Sequence, residues 1–452
     1  MPSWLISIPA FFVAIALLVA VHEFGHYWVA RRCGVKVLRY SIGFGRKIWG
    51  RTSPKTGTEY WIAAIPLGGY VKMLDEREGE VAAADLPYAF NRQKLWKRVA
   101  IVAAGPGINF AFAILAYWLV FMLGIAGMKP IIGEVGKDTQ AFQSGLSQGE
   151  QIIAVGEKET ATWQELRLTL LGRALDREQV RLTVLDQNGD TRSVVLDLTK
   201  ASAEPEVLFK QIGLSPYQPK GTPLISDTVA GQSAERAGLQ AGDQLLAANG
   251  EELQGPRELV NWVQAHPGET VEFSIQRDGE LISQMVQLDA YEDGDKTIGR
   301  LGAHIGVDAS EWDAMRTQRR LNPIAAAPAA VAETWSVSLL TVRLLWRMVT
   351  GDVSWKNISG PIQIADYAGK TASVGLEPFL SFLALISVSL AVLNLLPVPV
   401  LDGGHLLYYA CEFIRGRPLS DKAQIMGQQV GMVALLLLMS LAFYNDIIRL
   451  LG

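Results

Sequence analysis

Five residues near the start of the chain, His22-Glu23-Phe24-Gly25-His26, fit the pattern H-E-x-x-H. On a helix, side chains four apart share a face, so His22 and His26 can bind one Zn²⁺ through imidazole nitrogens. Glu23 stands outside that ligand pair and can take a proton from a water at the metal. The chain has only five histidines, which makes a chance match to this spacing rare. The bland reading is a polar helix end at a membrane surface. Ionisable residues next to an apolar span are costly and default to function, which favours the metal site.

A catalytic zinc ion needs a third protein ligand and an open position. Far along the chain an uncharged run ends in Asn394-Leu395-Leu396-Pro397-Val398-Pro399-Val400-Leu401-Asp402-Gly403-Gly404-His405. Asp402 is the obvious oxygen ligand, and His405 competes with it on spacing alone. Pro397 and Pro399 forbid a regular helix there, and broken backbone at membrane depth is tolerated only inside protein or beside a water-filled cavity.

Four uncharged runs must position these residues: 4–21, 99–128, 378–401 and 423–445. Each comes close to the roughly 18–20 residues that cross a bilayer as helix. The first has no basic start and no small-residue cleavage site, so it reads as a retained span rather than a signal peptide. Roughly 27 Å of helix separates Trp4 from His22, and apolar-lean sequence continues to Ala30, which puts the metal in the cytoplasmic half of the bilayer. Basic residues set the orientation. Arg31, Arg32, Lys36 and Arg39 follow the first run, Arg92, Lys94, Lys97 and Arg98 precede the second, and Arg415, Arg417 and Lys422 separate the last two. Such loops stay cytoplasmic, so residues 129–377 and both termini are expected outside. If Asp402 meets the histidines, an odd number of crossings lies between the first and third runs, and only the second run crosses there.

The bulk composition agrees. Hydrophobic residues make up 49 % and charged residues 19 % of the 452, and the net charge of −4 offers no basic footprint for nucleic acid. Cys33 and Cys411 make no metal-type pair and read as free thiols. Residues 35–73 are β-prone with turn residues between, a small sheet on the cytoplasmic face, and 75–85 form an acidic loop. Residues 141–153 recur as 234–246, in the string A-x-x-(S/A)-G-L-x-x-G-(E/D)-x-(I/L)-(I/L), each copy followed by a helical stretch and a β-rich tail. This string resembles the PDZ family, whose open strand edge accepts an extended peptide. Trp335, Leu339, Val342, Trp346 and Val349 fall on one helical stripe, an amphipathic helix lying on the outer membrane surface or packed on the repeats; Glu333 argues against a crossing.

Taken together, His22-Glu23-Phe24-Gly25-His26 on the first span and Asn394 through Gly403 on the third resemble the site-2 protease family of intramembrane zinc metalloproteases, over nearly the whole chain. The resemblance implies a polytopic α-helical membrane protein: four transmembrane helices, a zinc site in the membrane, a small cytoplasmic or membrane-associated β-sheet and two tandem periplasmic PDZ-like α+β domains. The expected segments are 1–30 with the zinc motif, 31–98 β-rich, 99–128, PDZ-like 129–220 and 221–310, interfacial 319–350, 376–402 with the Asp ligand, and 423–447. It implies Zn²⁺ on His22, His26 and Asp402, Glu23 as general base, Asn394 beside the substrate backbone, and Gly68, Gly69 and Tyr70 in a hairpin that pairs with unwound substrate. The implied partners are the lipid bilayer and single-pass substrates trimmed by a first protease, namely an anti-sigma factor and leftover signal peptides. The repeats would act as a size filter, the setting would be a bacterial inner membrane, and a monomer is expected. A PDZ scaffold with a structural metal and an ion transporter are the rival readings; an intact base speaks against the first, and sparse intramembrane polar residues against the second.

Overall fold

Backbone amides in hydrocarbon must be satisfied within their own segment, and the apolar runs do this as helices. The computed structural model describes residues 4–202, 204–217, 221–293, 296–307 and 310–451, so residues 1–3 of the first expected segment and a few positions in the expected PDZ-like domains lie outside the described residues. The chain divides into two units: Met1–Ile125 with Ser202–Pro205 and Arg319–Gly452, and Ala126–Ala201 with Glu206–Gln318.

The first unit holds α1 (Trp4–Arg32), β1 (Val37–Thr52), β2 (Glu59–Met73), α2 (Leu95–Leu123), α3 (Pro323–Thr350), α4 (Pro361–Val374), α5 (Leu376–Leu395), α6 (Asp402–Arg415) and α7 (Asp421–Leu451). Among the described residues, α1, α2, α3, α5 and α7 are long and apolar enough to cross a membrane. Their outward sides stay apolar: Phe12, Val13 and Leu17 on α1 and Val433, Leu436 and Leu437 on α7 are exposed, a surface suited to lipid. Small residues let the helices close on one another. Ala10, Ala14 and Leu18 of α1 pack with Ala368 of α4 and Phe382 and Leu383 of α5. Ala113 and Ala116 of α2 pack with Ala326 and Ala330 of α3 and Ala384 and Val388 of α5.

The end of the third span differs from the sequence expectation. The third span stops at Leu395, because Leu396 turns extended and the Pro397–Pro399 stretch cannot continue a helix; Asp402 opens a separate helix, α6. Hydropathy could not place that stop, since 396–401 is as apolar as the helix before it. In α3, the stripe of Trp335, Val342, Trp346 and Val349 faces away from the protein, and the buried stripe is Ala326, Ala330, Thr334 and Val337 against α2 and α5. The aromatic face stands out in the sequence; the small-residue face does not.

The β-prone segment forms one bent antiparallel sheet. Residues 37–42 pair with 69–73 on one side (Ile42 opposite Gly69) and with 59–62 on the other (Ile42 opposite Ile62). Residues 47–52 then cover the far side of 59–63. Among the described residues, 69–73 is therefore a sheet edge.

The second unit carries the repeat. In the first copy, strands 158–159, 151–155, 179–185 and 191–197 lie in that order, with a helix at 163–175. In the second, strands 280–287, 270–277, 244–248, 223–228 and 303–307 lie in that order, 251–252 also pairs with 244–248, and a helix at 256–265 lies over a core centred on Phe273. The acidic residue of the repeated string plays the same part in both copies. Glu150 pairs with Arg192 at 2.8 Å and Asp243 with Arg277 at 2.6 Å. Each carboxylate also accepts the amide three residues back, Ser147 at 2.9 Å and Gln240 at 2.8 Å. Each arginine donates to the carbonyl of a left-handed glycine, Gly145 (φ 79°) or Gly238 (φ 76°), where a Cβ would be strained. Burial alone would raise the Asp243 carboxyl, but the Arg277 guanidinium and the Gln240 amide outweigh it and hold it below the ordinary carboxylate range.

Candidate metal centre

His22, Glu23 and His26 share α1, one helical turn apart, and α2 crosses that turn at close range. A Cβ on Gly25 would sit 2.3 Å from the Ala104 carbonyl oxygen, and one on Gly105 would sit 2.3 Å from His26 Nε2 and 2.8 Å from His22 Cε1. Both glycines are required by contact, not by turn geometry. Asp402 reaches the same point from α6. The chain doubles back tightly before it: a Cβ on Gly403 would lie 2.2 Å from the Leu396 carbonyl oxygen, and one on Gly404 would lie 2.4 Å from Pro399 Cα. The Asp-Gly-Gly run is what lets this turn place the carboxylate.

Asp402 Oδ2 lies 3.3 Å from His22 Nε2 and 3.5 Å from His26 Nε2, and the two imidazole nitrogens are 3.2 Å apart. Ligand atoms about 2.0–2.1 Å from one zinc ion at tetrahedral angles stand about 3.3–3.4 Å from each other. The triangle therefore has the size of one face of a zinc tetrahedron. Asp402 Oδ2 is buried with no hydrogen-bond donor, as an oxygen facing a cation would be. His26 Nδ1 donates to the Ile101 carbonyl oxygen at 2.9 Å, the partner that, in a neutral ring, fixes the tautomer with Nε2 free to bind a cation. The donor set of two imidazoles and one carboxylate, with a fourth position open, is that of a catalytic zinc site. Among the described residues, His22, His26 and Asp402 are the group that could hold a metal, and His405 is not part of it.

Glu23 is 9 % exposed and lies against the sheet edge. A Cβ on Gly69 would be 2.9 Å from Glu23 Cγ and 2.7 Å from Val19 Cγ1, and the Val71 amide reaches the Glu23 carboxylate. The three expected hairpin residues divide by strand alternation. Gly69 faces α1, whereas Gly68 packs on the Phe44 ring and Tyr70 stacks on Phe44 and accepts from Arg39 at 3.2 Å. Tyr40 fixes the sheet to α1 by donating to the Ala20 carbonyl oxygen at 2.7 Å. Asn394 lies half-buried in the last turn of α5. Residues that sequence reasoning passed over are Gly25, Gly105 and Asn109. The signal for Asn109 was a lone amide in the middle of an otherwise apolar span.

A model of peptidase family M50 matches residues 10–438. The chain belongs to this family. As an M50 member it is a zinc metalloprotease with several apolar, membrane-type helices. It is 43 % identical over the full length of both chains to the regulator of sigma-E protease RseP of Escherichia coli K12, and 42 % identical, again over both full lengths, to the protein of that name from Salmonella typhimurium. A putative zinc metalloprotease of Vibrio cholerae is 42 % identical over 98 % of each chain.

Proposed function

We propose that this M50 protease cuts peptide bonds within the bilayer, with zinc held by His22, His26 and Asp402 and Glu23 as general base. The observation that carries this is the triangle of 3.2–3.5 Å edges built on a helix of membrane length. Bound zinc supplies a Lewis acid that polarises the scissile carbonyl and acidifies water at the open position. Glu23 takes the proton of the attacking water and hands it to the leaving nitrogen, so hydrolysis balances without another acid. A helical substrate hides its amides. The edge 69–73, beside Glu23, can hold an unwound segment by strand addition, with Gly69 letting that edge lie close against α1. Gly68 and Tyr70 shape the face of that edge, and Asn394 contacts the substrate backbone from α5.

The chain crosses four times, through α1, α2, α5 and α7. Supporting this, α3 starts beside the far end of α2, where Trp118 donates to the Pro323 carbonyl oxygen at 2.9 Å. The chain returns to that same end at Leu376, which lines one cavity with Leu119, Leu123 and Leu321. Segment 323–375 thus makes no net crossing. The basic flanks support a metal site toward the cytoplasm and repeats and termini in the periplasm, with the repeats as PDZ-like modules that exclude untrimmed substrates. The relatives named regulators of sigma-E protease point to an anti-sigma factor and signal-peptide remnants as substrates, cut by a monomer in the envelope stress response. The ligand set is tested by zinc content of the purified chain. His22→Ala and Asp402→Ala are expected to lose most bound zinc; full zinc in Asp402→Ala would remove Asp402 from the set.

A further inference from the structure

Asn109 lies on α2, one turn beyond Gly105, so the residue that makes room for the imidazoles and the amide that meets His22 share one helix face. Its side chain is fully buried. Ser387 of α5, also fully buried, anchors it by donating to the Asn109 carbonyl oxygen at 2.8 Å. The carboxamide nitrogen lies 3.1 Å from His22 Nδ1, and the carboxamide oxygen is buried with no partner.

That orientation suits a His22 whose Nδ1 carries no proton. A neutral imidazole bound to zinc through Nε2 keeps its proton on Nδ1, and Nδ1 then needs an acceptor. An NH₂ group cannot accept. Half a turn of the amide about its last bond exchanges the two ends and brings Oδ1 to the same 3.1 Å contact. One end of the carboxamide lacks a partner either way, but only this orientation satisfies an N–H polarised by the cation, the stronger donor.

We infer that Asn109 is a positioning residue of the metal centre, its Oδ1 accepting from His22 Nδ1–H and so fixing the tautomer and ring plane that present Nε2 to zinc. It is the counterpart for His22 of the Ile101 carbonyl for His26, with the difference that an amide can turn over and serve His22 before and after the metal arrives. The inference rests on the reading of His22 as a ligand.

The test is zinc affinity of the full chain in detergent, by competition with a chelator. Asn109→Leu, of similar volume, is expected to weaken zinc about 10- to 100-fold, the usual effect of losing an outer partner. Asn109→Ala, which empties the space instead of refilling it, carries the same expectation, so a folding failure of one variant decides nothing. Asn109→Asp keeps an acceptor and is expected to hold zinc close to the parent level, which a merely structural amide would not require. Wild-type affinity in Asn109→Leu or Asn109→Ala, or loss in Asn109→Asp as large as theirs, would overturn the inference. His22→Ala separates the two levels. Retained zinc there would defeat the ligand reading itself, whereas lost zinc there with unchanged zinc in Asn109→Leu would defeat the role of Asn109 alone.

Discussion

A single methyl group at Gly105 would occupy the space of both ligand imidazoles, since its Cβ would lie 2.3 Å from His26 Nε2 and 2.8 Å from His22 Cε1. His26 is tied to the Ile101 carbonyl oxygen and both rings turn Nε2 toward Asp402, so they cannot move aside without breaking that arrangement. Gly105→Ala is accordingly expected to weaken zinc binding about tenfold or more and to lower cleavage with it, while the helix it sits in tolerates alanine. Atomic absorption on the purified variant checks this; full zinc with full activity would show that the rings have slack. His22, Glu23 and His26 were legible because their spacing is itself the helix repeat, and Asp402 because a carboxylate beside prolines at a span end has few other uses. Gly25 and Gly105 were not, because a glycine in an apolar span declares nothing until the partner helix is placed against it; Asn109 carried a signal as a lone amide in an apolar span, but its partner His22 lies on another helix and is visible only once the two are packed.

The hairpin forms one wall beside Glu23. Gly69 brings the sheet edge against α1 with no room for a side chain, the nearest atoms being the Ser41 carbonyl oxygen at 2.6 Å, Val19 and Glu23. Gly69→Val is expected to push residues 69–73 off Glu23, cutting cleavage at least tenfold with zinc unchanged, because the edge lies outside the ligand set. Loss of zinc in step with activity would count against the division of labour between edge and metal. Elsewhere α7 clamps α4: Asp446 accepts from the amides of Gly360, Ile362 and Gln363 at 2.9, 2.8 and 3.2 Å. Asp446→Ala leaves three buried or half-buried amides without an acceptor at the helix start, a loss of about 1–2 kcal/mol seen as faster hydrogen exchange across 360–366. Neither α4 nor α6 was foreseen. Both are short amphipathic helices next to long apolar ones, where hydropathy sees only the neighbour. The β-rich hairpin was legible from its turn glycines and alternation, but not its double pairing around 37–42, which depends on bends that local sequence does not announce.

At the scale of the whole chain, a membrane peptidase carries a β-rich repeat, and the two parts follow different chemistry. The repeat was legible as a recurring string, and the structure explains its acidic position, since Asp243 is 0 % exposed and tied to Arg277. Its folded pKa is depressed, so its contribution to stability is present above the unfolded carboxyl value near about 3.9 and fades as pH falls through the lower folded value. Hydrogen exchange of peptides covering 244–277 in the full chain should show protection lost in that acid range, and Asp243→Asn should lose protection already at neutral pH, by roughly 1–3 kcal/mol. A variant as protected as the parent would remove the pair from the stability of the repeat. If the repeats exclude long substrates, deleting residues 129–310 should raise cleavage of an untrimmed single-pass reporter and leave that of a trimmed one unchanged; equal cleavage of both by the intact chain would contradict a filter.

In the proposed mechanism Glu23 moves the proton in a zinc site that cuts within the bilayer. The direct measurement is cleavage of a trimmed single-pass reporter in liposomes by the parent and by Glu23→Gln, each assayed for bound zinc. Glutamine keeps the shape and cannot take the proton. One zinc per chain is expected in both proteins, with cleavage lower by about a hundred- to ten-thousand-fold in the variant. Zinc retained together with parental cleavage would contradict it.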